Sequence, residues 1–527
     1  MGFLISMFLM LSLATHKSLS DKIRSDFPTD FIFGAGTSAY QVEGGAFEDG
    51  RKPSIWDAHT HAGQCPSVKI VPNLKGKMPD KSTGDVAADE YHKYKEDVKL
   101  MQETGLDAYR FSISWSRLIP DGRGAVNPKG LEYYNNLIND LISHGIQPHV
   151  TLFHYDLPLA LEEEYKGWLS PKIVDDFKAF AEVCFRGFGD RVKYWSTLNE
   201  PNVLIPTGYD YGTLPPQRCS QPFGFVNCTA GDSTTEPYIA GHNALLAHAA
   251  AASLYKEKFQ SEQKGFIGLT IFCYWYTPVT NSTADIKARQ RVLDFHIGWF
   301  LNPLFFGDYP DIMKKIAGSR LPTFTEEGSE IVKGSFDFIG VNHYASLFVL
   351  DDSNRTKTDQ RDYQLDMFAK FMVSKDGEPT TQPAIAFPVV PWGIRRLLEY
   401  IKQTYKNPMV FIHENGYRIP CNNSTPLSEA LNDTARVTYL ENYIEGLLDA
   451  VRNGSNTKGY FVWSFIDLFE ILEGYRFRYG LYHVDFGDKD LKRYPRLSAN
   501  WYSNFIKKRT KGREIEPRLL DLFHSSV

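Results

Sequence analysis

The sequence predicts an α/β fold, a single (β/α)8 barrel with elaborated loops after its strands. Three observations lead there. Eight short runs rich in β-branched and aromatic residues are spread along the 527 residues. The segments between them carry apolar residues at helical spacing and end at glycine. No internal repeat and no long low-complexity linker divides the chain. A chain this long holds one large barrel or two to three average domains, and strands alternating with helices make a parallel sheet. An open doubly wound sheet is the runner-up, but six or seven strands are commoner there.

The strand candidates, in order, are residues 31–40, 108–115, 147–155, 192–199, 265–275, 336–344, 409–416 and 459–467. Residues 89–105 and 130–145 have the helical spacing, and each closes on a glycine. In a barrel of this kind functional groups gather at the carboxyl ends of the strands. Polar residues do cluster there: Gln41, Arg110, His154, Asn199 and Glu200, Asn342 and Tyr344, Glu414 and Asn415, Asp467 and Glu470.

Composition narrows the function. Hydrophobic residues make up 43% and charged residues 23%, which excludes a disordered or collagen-like chain. The net charge of −5 leaves no electrostatic footprint for nucleic acid. Aromatics reach 14%. They suit either a large aromatic core or a cleft for sugar rings, whose apolar faces stack on them.

Residues 1–14 form an apolar run of the length of a signal-peptide core, so residues 1–20 are expected to be a cleaved signal peptide and 21–527 the catalytic barrel. No later stretch reaches membrane-spanning length. Seven Asn-x-Ser/Thr sites, at Asn227, Asn281, Asn354, Asn422, Asn423, Asn432 and Asn453, point to the secretory route, with the vacuole or the extracellular space as destination. Cys219 and Cys228 close a short loop and form the expected disulfide. The other cysteines, Cys65, Cys184, Cys273 and Cys421, lack metal-ligand spacing and read as mostly buried thiols.

Glu200 in TLNEP and Glu414 in IHENG end the fourth and seventh strands, on opposite sides of a barrel mouth. Both follow apolar strand residues, where an ionisable group is costly unless used. A converging carboxyl pair is what glycoside hydrolysis needs: one group protonates the leaving oxygen and the other attacks or stabilises C1. Other chemistries fit less well. Gly34, Gly36 and Ala39 spell a dinucleotide fingerprint, yet a polar loop follows instead of an apolar helix. The 14 histidines form no metal-binding pattern, and no G-x-S-x-G elbow is present. A non-catalytic sugar-binding protein would be expected to have lost one glutamate. No metal and no cofactor is expected.

The motifs FIFGAGTSAYQVEG (31–44), YRFSISWSRLIP (109–120), TLFHYDLP (151–158), TLNEPN (197–202), FIGVNHY (338–344), IHENG (412–416), VWSFIDLFE (462–470) and GYRFRYGLYHVDF (474–486) occur in that order. The chain thereby resembles glycoside hydrolase family 1, the β-glucosidase family, and within it the plant members. The resemblance runs from about Phe27 to Lys507. It implies Glu200 as acid/base and Glu414 as nucleophile. Asn199 matches the residue bonding the sugar 2-hydroxyl, and Arg110 and Tyr344 match the pair beside the nucleophile. Gln41, His154, Trp463 and Glu470 match the sugar-binding residues, with Trp463 stacking beneath the ring.

Departures from the family pattern are also informative. Tyr155 stands where the family usually has Trp, His343 where Tyr is common, and His413 where Thr is usual. Leu468 and Ile471 replace the Asn and Trp of DNFEW, so a polar contact to the sugar is lost. The expected function is hydrolysis of β-glucosides of small plant metabolites. The alternative is transfer of glucose from an acyl-glucose or aryl glucoside to an acceptor, as in similar plant transglucosidases. The partner is then a small-molecule glucoside, with or without a sugar acceptor.

Overall fold

The computed structural model describes residues 24–61, 78–355, 360–375, 379–380, 388–421 and 425–508. The expected signal peptide, Cys65, Asn422 and Asn423 lie outside them. Eight parallel strands close into a barrel: β1 Ile32–Gly36, β2 Ala108–Ser112, β3 Gln147–Phe153, β4 Tyr194–Asn199, β5 Phe266–Phe272, β6 Phe338–Asn342, β7 Val410–Asn415 and β8 Thr457–Trp463. Each strand pairs with its neighbours in sequence, and β8 returns to β1. Closure removes the unpaired edges an open sheet would carry.

The two helices read from the sequence form as Glu90–Thr104 and Pro128–Ser143. Gly105 terminates the first in a left-handed conformation, at φ 88°, that glycine adopts without penalty. Asn127 caps the second by accepting a hydrogen bond from the Lys129 amide.

Several strand candidates overran. Residues 31–40 stop at Gly36 and turn into a short helix, Ala39–Val42, while 108–115 give way to the helix Trp115–Leu118. Residues 265–275 break after Phe272, and Trp275–Pro278 joins a separate four-stranded sheet with Ser346–Asp351, Ala369–Met372 and Pro379–Thr380. In each case aromatic and β-branched residues continue past the barrel rim. Propensity therefore did not mark where the ladder ends.

The barrel interior is packed in layers. Ala108, Phe338, Phe411 and Phe461 fill its lower end. Above them lie His149 and His413, with His413 stacked on Phe411 and hydrogen bonded to Thr270 Oγ1 at 2.9 Å. Burial lowers the pKa of both imidazoles, that of His149 to about 3, so this layer is uncharged beneath Arg110. Gly340 makes room for the Thr270–His413 contact, since a Cβ there would lie 2.2 Å from Thr270 Oγ1 and 2.5 Å from His413 Nδ1.

Candidate active site

Strand alternation sends consecutive side chains to opposite faces. The ends of β4 and β7 escape that rule. The β4–β5 register shifts between Ser196 and Asn199, and the β7–β6 register shifts between Ile412 and Glu414. An extra residue in a ladder re-aims the side chains beside it. Here it turns Asn199 with Glu200, and His413 with Glu414, toward the barrel axis. The β1–β2, β2–β3 and β3–β4 ladders keep an unbroken register.

Both glutamates line a cavity of about 250 Å3 at the carboxyl ends of the strands. Glu414 receives Arg110 Nη1 on Oε1 at 2.5 Å and the Tyr344 hydroxyl on Oε2 at 2.7 Å. Arg110 is buried, and an unpaired charge there would cost several kcal/mol, on the order of 3–5. Its second nitrogen donates to Asn199 Oδ1 at 2.6 Å. Asn342 Nδ2 donates to the same oxygen at 3.1 Å and to Glu200 Oε1 at 2.6 Å. The two carboxyl groups are thus the ends of one hydrogen-bonded chain, Glu414–Arg110–Asn199–Asn342–Glu200.

Their environments differ. Glu414 has a cation beside it, whereas Glu200 has only neutral donors, Asn342 and the Tyr155 hydroxyl at 2.5 Å. Burial, with the charge of Glu414 second, pushes the Glu200 carboxyl up to about 8. A carboxyl protonated near neutrality beside a cation-paired carboxylate is the division that acid and nucleophile require.

The remaining sequence-predicted residues gather around the same cavity. Gln41, His154, Tyr344, Trp463 and Glu470 line it. Gln41 is fixed by donating to the Phe469 carbonyl at 2.8 Å and accepting from Ser38 Oγ at 2.7 Å. His154 Nε2 accepts a hydrogen bond from Asn199 Nδ2 at 3.2 Å, and its ring lies nearly parallel to Trp463, 15° apart. His154 Nδ1 and Glu470 Oε1 are buried without a protein partner. Polar atoms left so next to a cavity are positioned for a ligand's hydroxyls.

Two strand-end residues play structural roles instead. Asn415 donates to the His343 carbonyl and accepts from the Tyr460 hydroxyl. Asp467 pairs with Arg496 at 2.7 Å, and although burial opposes ionisation, Arg496, His483 and Arg478 hold it well below the usual carboxylate range. Cys219 and Cys228 form a disulfide, with the Cα atoms 5.4 Å apart. Cys184 and Cys273 are buried free thiols, and Cys421 is half-buried.

Sequence reasoning missed the outer cavity. Tyr211, Phe225, Tyr274, Tyr276, Tyr363, Phe371, Phe477 and Tyr479 line it, with Arg418 over the Phe477 ring at 4.6 Å. Over the cavity as a whole, Phe, Tyr and Trp supply 12 of the 29 lining residues against 14% of the chain, so its walls are selectively aromatic. They come from loops after four different strands, and only aromatic abundance hinted at them.

The family described as glycosyl hydrolase family 1 matches residues 23–511. β-Glucosidase 22 of Oryza sativa subsp. japonica is 56% identical over 485 residues, covering 92% of this chain and 88% of its own. The cyanidin 3-O-glucoside 7-O-glucosyltransferase (acyl-glucose) of Delphinium grandiflorum is 53% identical over 489 residues, covering 92% and 91%. Among solved structures, a rice β-glucosidase superposes with a TM-score of 0.87 at 44% identity, covering 92% of this chain and all of its own (100%).

Proposed function

The chain belongs to glycosyl hydrolase family 1, and from that premise we propose that it is a retaining β-glucosidase acting on β-glucosides of small plant metabolites. The observation that carries the reading is the asymmetry of the two linked carboxyl groups. Glu200, pushed up to about 8, is the proton donor to the leaving oxygen. Glu414, oriented by Arg110 and Tyr344, attacks C1 as the glycosidic bond breaks, and the electron pair leaves with the protonated aglycone. Once Glu414 is esterified its negative charge is gone, one cause of the raised pKa of Glu200 disappears, and Glu200 accepts the proton of the incoming water. That water attacks C1, and the ester electrons return to Glu414. Asn199, Gln41, His154, Trp463 and Glu470 hold the sugar.

Two inversions give net retention. Proton NMR of the first product from an aryl β-glucoside is expected to show β-glucose; α-glucose would contradict the mechanism. Since Glu200 must start protonated, kcat/KM should fall as pH rises through about 8.

A second reading, glucose transfer to an organic acceptor, is favoured by the aromatic outer cavity. Ile471 and Leu472 make its rim apolar. The Delphinium relative, a glucosyltransferase named for acyl-glucose, supports it. The test is the ratio of glucosylated acceptor to free glucose, using acyl-glucose or aryl glucoside donors with phenols and alcohols. A secretory destination is supported by the disulfide and by the exposure of Asn227, Asn281, Asn354, Asn432 and Asn453. Glycosidase digestion of protein from a plant host, followed by a mass measurement, tests it.

A further inference from the structure

Glu200 and Tyr155 are joined by a 2.5 Å hydrogen bond, and both sit in left-handed backbone conformations, at φ 43° and 74°. A bulky residue there is an outlier held by its surroundings, and such strain concentrates where geometry serves function. Both side chains are buried, Tyr155 3% exposed and Glu200 8%. The two oxygens of Glu200 face unlike partners. On Oε1 the Asn342 amide nitrogen can only donate. On Oε2 the Tyr155 hydroxyl donates to a carboxylate and accepts from a carboxylic acid. Oε2 is therefore the oxygen that can take or release a proton while keeping its partner. The indole nitrogen of a Trp, the usual family residue at this position, donates but cannot accept.

We propose that Tyr155 is a positioning residue for Glu200, a reversible hydrogen-bond partner that stabilises its ionised form during the second, base-assisted step. In that step the acceptor oxygen bonds to C1 as the C1–Glu414 bond breaks, its electron pair returning to the Glu414 carboxylate. The acceptor proton passes to Glu200 Oε2, and the Tyr155 hydroxyl turns from donor to acceptor. Tyr155 itself stays a neutral phenol, since burial and then the charge of Glu200 push its pKa well up. The other ionisable groups acting on Glu200 are Glu414, Arg110, Tyr274, Tyr344 and Cys273. All five remain in the test variant, so the comparison isolates one hydroxyl.

The inference rests on Glu200 being the acid/base, and the experiment separates the two. Wild type, Tyr155→Phe and Glu200→Gln are compared by pH profiles and by pre-steady-state turnover of dinitrophenyl β-glucoside. Without the hydroxyl, ionised Glu200 loses a donor. The alkaline limb of kcat/KM for Tyr155→Phe is expected to move up by about one pH unit. At pH values below that of the limb, where the raised pKa leaves about a tenth as much Glu200 ionised, deglycosylation should slow up to about tenfold and the dinitrophenol burst should stand out more strongly from the steady state than in wild type. A uniform fall in rate with the alkaline limb in place would mean a packing role and overturn the proposal. In Glu200→Gln the limb should vanish and azide should restore turnover. Persistence of the limb there would remove the underlying reading of Glu200. Its loss there, together with an unmoved limb in Tyr155→Phe, would sink only the role of Tyr155.

Discussion

The inner and outer ends of the cavity are built on opposite principles. At the inner end Arg110, Asn199, Asn342, Glu200, Glu414 and Tyr344 issue from strand ends and bond one another at 2.5–3.1 Å. At the outer end Tyr211 and Phe225, from the loop after β4, stack at 4.7 Å, while Tyr274, Phe371 and Phe477 reach the cavity from the connections after β5, β6 and β8. Hydrogen bonds are directional, so the inner end tolerates one arrangement of its groups. Apolar contact is not directional, and the outer end can accept aromatic ligands of differing outline. In the proposed function the inner end carries the chemistry and the outer end selects what leaves or attacks.

That contrast can be broken most severely at the inner end. Glu414→Ala removes the proposed nucleophile, and turnover of every β-glucoside should fall by about 10^4-fold or more, measured with aryl glucosides. Retention of more than a few per cent of activity would place the nucleophile elsewhere. Next in size is Arg110→Met, which leaves Glu414 buried without its cation. A loss of about 3–5 kcal/mol in urea unfolding is expected, together with loss of activity. An unchanged midpoint would show that the network is not held together by that pair. The smallest effect belongs to the rim. Ile471→Trp should leave hydrolysis of a small aryl glucoside within about threefold while changing the transfer-to-hydrolysis ratio about tenfold, the effect of one contact worth roughly 1.4 kcal/mol. Equal changes in both would erase the distinction between the two ends.

The same division governs what the sequence made legible. Inner residues sit at the ends of apolar strand runs, so Glu200, Glu414, Arg110 and Asn199 could be found by position and by resemblance. The bulges that turn Asn199 and Glu200 to the same side could not, since an extra residue in a ladder leaves no mark on hydrophobic alternation. Nor could the Asn342 link to Glu200, which joins residues 142 positions apart. Tyr155 was visible only as a departure; its bond to Glu200 needed the loop's left-handed turn. Outer residues such as Tyr276 and Phe371 lie in the additional four-stranded sheet, and nothing in their local pattern distinguishes a cavity wall from a core. Asn415 and Asp467 carry the same strand-end signature as the site residues yet serve packing, because Tyr460 and Arg496 satisfy them.

In the proposed mechanism Glu414 forms a covalent glycosyl-enzyme and Glu200 does not. Incubation with a 2-deoxy-2-fluoro-β-glucoside bearing a good leaving group slows breakdown of that intermediate, and peptide mass spectrometry then locates the sugar. One fluoroglucosyl group is expected on the peptide containing Glu414, still formed in Glu200→Gln and absent in Glu414→Gln. A label on Glu200, or time-dependent turnover with no label on any carboxylate, would contradict the mechanism.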